Sequence, residues 1–384
     1  MTRTKDDIQA DHASPLSPRS RLRWPQWLGP LAGLAVLVTI GGVANPLFLS
    51  PQNVLDILHT AAIVGVIALG MTFVIVLGGI DLSVGSLAAL AGGVGIWMMN
   101  TAIHAGDILN GAGVSALNLM PPYSPIRTAI AAGISAIGLA GSQTGGVAIG
   151  FVTIFLVGTL AGGLNGLLIT KGRVAPFVAT LGGLAAYRSL ALALADGGEF
   201  RSGSDAFKHL GTGGVQLPFL VDLYNTPVRL PWPVLIFAGA AIVMHVLLNH
   251  TRYGRHVLAI GCNERAAQYS AVRVDRVRLM TYTLIGSAVG LAAMMNSSRM
   301  NSVSSGMSGG MWELDAIAAV VIGGTRMTGG AGSIAGTIIG LLILGCITNI
   351  LVLLQVSVHL QGLVKGLIIV AAVLIQRGRW RGER

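Results

Sequence analysis

An all-α bundle of about ten membrane-crossing helices, some of them broken or re-entrant, is the fold this sequence predicts, and three observations carry it. Apolar residues make up 53% of the 384 residues and charged residues 10%. The mean hydropathy is +0.73. Apolar runs near the ~20 residues needed to cross ~30 Å of hydrocarbon recur along the chain. A soluble domain does not carry this pattern. The net charge of +10, from 25 basic and 15 acidic residues, raises nucleic acid as a partner. The bases, however, are scattered among short loops between apolar runs, so membrane topology accounts for them and no nucleic acid is expected. Lipid is the expected surround. Cys262 sits in a charged loop and Cys346 in an apolar run, which is neither a disulfide nor a metal pattern. No cofactor and no metal are expected.

Residues 1–27 are polar and include Pro15, Pro18, Arg19, Arg21 and Arg23, a tail ending in a basic anchor. Leu28 to Ala44 has the composition of a signal-peptide core, but the polar leader is long for one, so the run reads as the first span. Further spans are expected near 54–78, 82–103, 147–169, 176–195, 232–249, 279–296, 312–325, 333–354 and 360–376, the first covering 28–45. The membrane domain is thus 28–376, followed by a tail at 377–384. Residues 128–141 are apolar but short for a crossing and fit an interfacial or re-entrant piece. With an even number of spans both termini share one side, and eighteen of the 25 bases fall there, against Arg127, Arg201, Lys208, Arg229 and Arg299 opposite. The excess makes that side cytoplasmic. Arg188, within a span, reaches either an interface or a carboxylate.

Glycines recur every fourth residue at Gly158, Gly162 and Gly166, at Gly286 and Gly290, and at Gly332, Gly336 and Gly340. Small faces of this kind let helix backbones approach closely and imply packing rather than substrate binding.

Polar residues inside apolar runs are the candidate functional positions. Residues 78–86 read Gly-Gly-Ile-Asp-Leu-Ser-Val-Gly-Ser and break one run from the next. Ser83 or Ser86 is expected to cap the helix that follows, and Asp81 needs an assigned partner, because an acid at a broken membrane helix is costly without one. Glu313 and Asp315 lead straight into an apolar run and mark a polar pathway or a gate. The stretch from Ser297 to Gly310 before them reads as a flexible outer loop, either a gate rim or a plain solvated connection. The glycine-rich turn around Arg326 lacks the Gly-Lys-Ser or Gly-Lys-Thr ending of a phosphate loop, so ATP, if used, is handled by another subunit. In the loop 250–278, Asn263 is placed to cap a short helix with the small residues Ala266, Ala267 and Ala271, a docking element.

Four segments together resemble a known family. Gly-Gly-Ile-Asp-Leu-Ser-Val-Gly-Ser at 78–86, Pro-Phe-Val-Ala-Thr-Leu-Gly at 176–182, Ala-Ile-Gly-x-Asn-x-x-Ala-Ala at 259–267 and the run from Glu313 to Thr325 are similar, in this order, to the ribose-type sugar permeases of bacterial ABC importers. The resemblance implies an inner-membrane subunit that pairs with a second permease chain, identical or homologous, with two cytoplasmic ATPase domains and with a periplasmic sugar-binding protein. It also implies that Gly261, Asn263, Glu264, Ala266 and Ala267 belong to the element that couples to the ATPase. Residues 104–146 are longer than the family's usual connection, and Ser270-Ala271-Val272 replaces its Ser-Gly-Ile turn. A neutral sugar needs hydrogen-bond partners and an aromatic face, for which Asp81, Asn165, Phe177, Thr180, Glu313 and Asp315 are the candidates. Two alternatives stay open: an ABC permease for branched-chain amino acids or nucleosides, and an ion-coupled secondary transporter using Asp81 or Glu313. No catalytic constellation is present, so no enzyme is expected.

Overall fold

The computed structural model describes residues 27–110, 125–221, 227–357, 360–367 and 370. The tails expected at 1–27 and 377–384 lie outside these residues, Trp27 excepted. In chain order the helices are α1 (Leu28–Ala44), α2 (Pro51–Val76), α3 (Val84–Ile103), α4 (Ala105–Leu109), α5 (Pro125–Ala136), α6 (Gln143–Thr170) and α7 (Pro176–Leu194). There follow α8 (Asp205–Thr212), α9 (Trp232–His250), α10 (Arg252–Cys262), α11 (Glu264–Tyr269), α12 (Val274–Met300), α13 (Trp312–Ile322) and α14 (Ile334–Leu353). Among the described residues four strands accompany them: β1 (Glu199–Arg201), β2 (Gly214–Val221), β3 (Pro227–Pro231) and β4 (Ser302–Ser304).

Among the described residues seven helices are long and apolar enough to cross a membrane: α2, α3, α6, α7, α9, α12 and α14. Their starts obey ordinary capping chemistry. Ser50, Ser142 and Ser333 accept from backbone N–H groups of the first turns of α2, α6 and α14, and prolines occupy the first turns of α2, α7 and α9. The span expected at 28–45 is α1, and one expected span, that at 312–325, is shorter than foreseen. Helix α1 has 17 residues. Helix α13 has 11, about 16 Å at ~1.5 Å per residue and half the hydrocarbon thickness. The apolar run at 312–325 overstates it because the chain leaves the helix at Gly323, and Gly324 turns with φ 93°. The last expected span is helical over 360–367.

Helices α2 and α3 are apolar on all sides and form the centre of the bundle, most of their residues being buried. Around them α6, α7 and α9 keep one packed face and turn Leu160, Phe177, Ile242 and similar side chains outward. Helix α1 rides at the edge, where Phe48, Ile57 and Cys346 form a small separate cluster.

The short strands stitch loops at the end of the bundle opposite α10 and α11. Strand β1 pairs antiparallel with β4, Phe200 opposite Val303, and both side chains are buried over Gly92 and Gly93 of α3. Strands β2 and β3 form a second antiparallel pair. Helix α8 is pinned to the end of α12 by Ser298, whose hydroxyl lies 2.5 Å from the Phe207 carbonyl oxygen and 2.7 Å from the Gly211 N–H. The segment from Ser297 to Gly310 is therefore not the flexible loop expected: it contains the end of α12, β4 and a bonded turn. The piece expected at 128–141 is α5, with Arg127 buried.

The glycine repeats meet one another. A methyl placed on Gly162 would fall 2.7 Å from the Gly286 Cα, and one on Gly158 would fall 2.6 Å from the Gly286 carbonyl oxygen and 2.8 Å from the Gly290 Cα. Backbone thus packs on backbone between α6 and α12. Replacing Gly286 by Val is expected to cost about 1–3 kcal/mol or block assembly, whereas Gly182→Ala, where nothing lies within 4 Å, should be silent. Thermal unfolding in detergent checks both.

Candidate functional site

Helix α2 ends because Gly78 turns with φ 88°, a left-handed conformation that glycine adopts without strain. The chain then runs without helical bonds until α3 begins at Val84. Asp81 closes the gap: its Oδ1 accepts from the Ser83 backbone N–H at 2.9 Å and from the Ser83 hydroxyl at 2.7 Å. That hydroxyl accepts in turn from the Asn165 amide of α6 at 2.9 Å, and Asn165 Oδ1 accepts from the Tyr187 hydroxyl of α7 at 3.0 Å. Thr180 donates to the Pro176 carbonyl at 2.9 Å and lies 3.3 Å from that of Ile80. All five side chains are buried.

Asp81, Asn165 and Thr180 therefore converge from three parts of the chain, as a shared site requires. Phe177 does not join them; its side chain is 54% exposed on the outside of α7. The expectation that Ser83 or Ser86 caps α3 is corrected by the geometry. Asp81 takes the Ser83 hydroxyl, the Ser86 hydroxyl donates to the Ser83 carbonyl at 2.9 Å, and α3 has no side-chain cap. The sequence reading missed two residues. Tyr187 completes the network, and Tyr282 of α12 buries its hydroxyl against Gly79, near the Asp81 carboxyl, without a hydrogen-bond partner. A tyrosine in an apolar run reads as core, and only the break opposite it shows otherwise.

Glu313 and Asp315 part company. The Glu313 carboxylate lies at the start of α3, where a methyl on Gly85 would come 2.6 Å from Oε2. It is within the field of Arg188. Arg188 Nη1 donates to the carbonyls of Ser305 and Ser308 at 2.8 and 3.0 Å, holding the turn that precedes α13. Asp315 forms an ion pair with Lys365 at 3.3 Å. The starts of α3 and α13 thus meet within the bundle, each at the end of a break in the helical path.

A second cluster lies at the far end of α2. Asn263 caps α11 by accepting from the Ala266 N–H at 3.1 Å, as the sequence indicated. Helix α11 ends in a Schellman arrangement, with Val272 N–H on the Ala267 carbonyl and Ala271 N–H on the Gln268 carbonyl. Ala271 occupies the left-handed position, φ 61°, where glycine is usual. Glu264 and Arg278 pair at 2.5 Å and clamp α11 to α12. Tyr253 fixes α10, stacked on Phe73 and bonded to the Thr281 hydroxyl at 2.8 Å; burial pushes its phenol up to about 12, so it stays neutral. The three alanines of the expected docking face do not share a side, Ala266 and Ala271 being exposed and Ala267 buried. Ala267 is buried against the bundle, while Ala266 and Tyr269, the latter 91% exposed, face away from it.

The first cluster holds hydroxyl, amide and carboxylate groups joined by hydrogen bonds, which suits reversible hydrogen bonding. No group of three or more His, Cys, Asp or Glu placed to hold a metal occurs among the described residues. Asn165→Leu removes one hydrogen bond from the Ser83 hydroxyl, which keeps Asp81, and one from the Tyr187 hydroxyl, which keeps the Ala161 carbonyl at 3.2 Å, and should cost about 0.5–1.5 kcal/mol for each bond lost. Phe177→Leu, outside the network, should stay within about 0.5 kcal/mol. Chemical or thermal unfolding of the purified chain compares them, and equal losses would remove the network's claim to hold the break.

The model of the family described as "Branched-chain amino acid transport system / permease component" matches residues 53–373. The ribose import permease protein of Bacillus subtilis is 39% identical over 353 residues, covering 92% of this chain and 93% of its own length. That of Escherichia coli K12 is 35% identical, covering 90% and 92%. The D-allose transport system permease protein of the same organism is 30% identical, covering 93% of each. No solved structure matches this chain. On this footing the chain belongs to the family of membrane permease components of branched-chain amino acid transport type.

Proposed function

We propose that the chain is the transmembrane subunit of an ATP-driven importer of a monosaccharide, a pentose or hexose, working by alternating access in the bacterial inner membrane. One observation carries the choice of substrate class. Beyond the Asp81 carboxylate, the buried network offers hydroxyl and amide donors and acceptors, whereas the deep base Arg188, which an amino acid carboxylate would need, has its Nη1 committed to the Ser305 and Ser308 carbonyls. A polyhydroxylated solute can exchange bonds with Ser83, Asn165, Thr180 and Tyr187 without bringing a charge into the bundle. The relatives, themselves sugar import permeases, support this reading.

The subunit operates with a second permease chain, two ATPase domains and a periplasmic sugar-binding protein. Helix α11 docks on the ATPase through Ala266 and Tyr269, with Asn263 and Glu264 holding it in place and Ala267 seating it on the bundle. Both termini are cytoplasmic, on the side of α10 and α11, and the full chain crosses the membrane ten times when α1, the half-length α13 and the apolar run at 360–376 are included. Asp81, Asn165 and Thr180 line the passage; Glu313 gates it from the head of α13; Asp315 serves the Lys365 pair.

Reconstitution decides between this reading and an ion-coupled carrier. Uptake of labelled ribose into liposomes should require ATP, the ATPase and the binding protein, and should survive ionophores; uptake driven by an ion gradient without the ATPase would sink the proposal. Glu313→Gln should lower import with assembly intact. Asp315→Asn should instead lower assembly by stranding Lys365, and Asp315→Asn combined with Lys365→Gln should recover it, because losing one partner of a part-buried pair costs more than losing both. Size-exclusion chromatography and import per assembled complex read the two effects separately. Ala266→Leu should weaken ATPase co-purification by roughly tenfold, from an overpacking penalty of about 1–3 kcal/mol at the interface. Ala267→Leu should instead destabilise the chain itself.

A further inference from the structure

We propose that the ends of α10 and α2 and the glycine turn after α13 form one backbone junction that transmits movement of α11 to both helix breaks, with Gly261 and Gly330 as its positioning residues. The inference rests on the reading that α11 docks on the ATPase. The junction itself is geometric. The Gly330 N–H donates to the Val76 carbonyl at 2.9 Å, satisfying one of the carbonyls that the end of α2 leaves open. A methyl on Gly261 would collide with that same carbonyl oxygen and lie 2.5 Å from the Gly330 nitrogen. A methyl on Gly329 would be 3.0 Å from the carbonyl oxygens of both Gly261 and Val76. The Cys262 thiol donates to the Gly330 carbonyl at 3.4 Å. Gly329 and Gly330 turn with φ 86° and 77°, so this approach depends on glycine on both sides.

Each strand of the junction leads to a functional element within a few residues. From Val76 the chain reaches Gly78 and then Asp81. From Gly330 it runs back through Arg326, whose N–H is bonded to the Ala331 carbonyl, to Gly323 at the end of α13, the helix headed by Glu313. From Gly261 it enters the Asn263 cap and α11. Side chains at a contact can slide or change rotamer; backbones in direct contact, with no side chain between them, have no such slack. A displacement of α11 is thereby delivered to the Asp81 break and to α13 together.

The test uses the full complex of permease, ATPase and sugar-binding protein in liposomes. For Gly261→Ala, the sugar imported per ATP hydrolysed should fall about fivefold or more, the size of an ordinary coupling free energy, while ATPase co-purification is retained. An unchanged ratio in the assembled variant would overturn the proposal. So would loss of association in step with import, since Gly261 would then only shape the docking helix. Ala266→Leu is run in parallel: if it leaves association intact, the docking reading fails on its own, independently of the junction. Should Gly261→Ala not assemble, methyl methanethiosulfonate is applied to Cys262 in the already assembled native complex, with Cys262→Ala as the resistant control and Cys346 buried. The same fall in sugar per ATP, absent from the control, is expected; no difference between the two overturns the proposal.

Discussion

A backbone that leaves helical geometry inside a bilayer must find partners for its polar groups within the protein, because lipid offers none. This chain leaves it between α2 and α3 and again on either side of α13. The polar residues of the interior follow from that constraint. Asp81 and Ser83 bond the first break to itself, Asn165 and Tyr187 tie it to α6 and α7, and Arg188 answers the carbonyls of the turn before α13. At the far end the open carbonyl of Val76 is met by Gly330. Substrate passage, on the reading offered above, reuses groups whose first duty is to let the helices be broken at all. A solute rich in hydroxyls can replace such partners one at a time, which keeps the backbone satisfied throughout.

The seven long helices were legible because an apolar run of membrane length would be insoluble almost anywhere but in a bilayer. The half-length of α13 was not, since alanine, valine, isoleucine and glycine continue past Ile322 and only the left-handed turn at Gly324 shows where the helix stops. Strands β1 and β4 have three residues each, too few for any alternation to register. In the site, Asp81 and Glu313 stood out as charges among apolar residues, and Asn165 as an amide on the glycine face of α6. Tyr187 and Tyr282 carry no such contrast. Phe177 offers the aromatic face a sugar needs, but a helix with little amphipathic character gives no sign of which side faces inward.

Helix α11 illustrates a related limit. Its cap at Asn263 could be read directly, while the division of labour between Ala266 and Ala267 could not, because six residues are fewer than two helical turns and two adjacent alanines are chemically alike. The Glu264–Arg278 pair and the packing of Ala267 set its rotation. Ala271 shows the same dependence on tertiary structure: an alanine at a left-handed position is tolerated because two hydrogen bonds close the turn around it, at an intrinsic cost of roughly 1–2 kcal/mol.

The seam between α6 and α12 divides α6 lengthwise into two regimes of sequence freedom. Along one edge, Gly158 and Gly162 accept no added carbon without moving a neighbouring backbone, so the spelling there is fixed letter by letter. Along the other, Leu156, Leu160 and Leu164 lie exposed and need only remain apolar, any of several side chains serving equally well. Descendants of this chain can therefore diverge extensively along α6 while its placement in the bundle stays the same. Two such descendants would look unlike along the exposed edge and superimpose along the whole length of the helix.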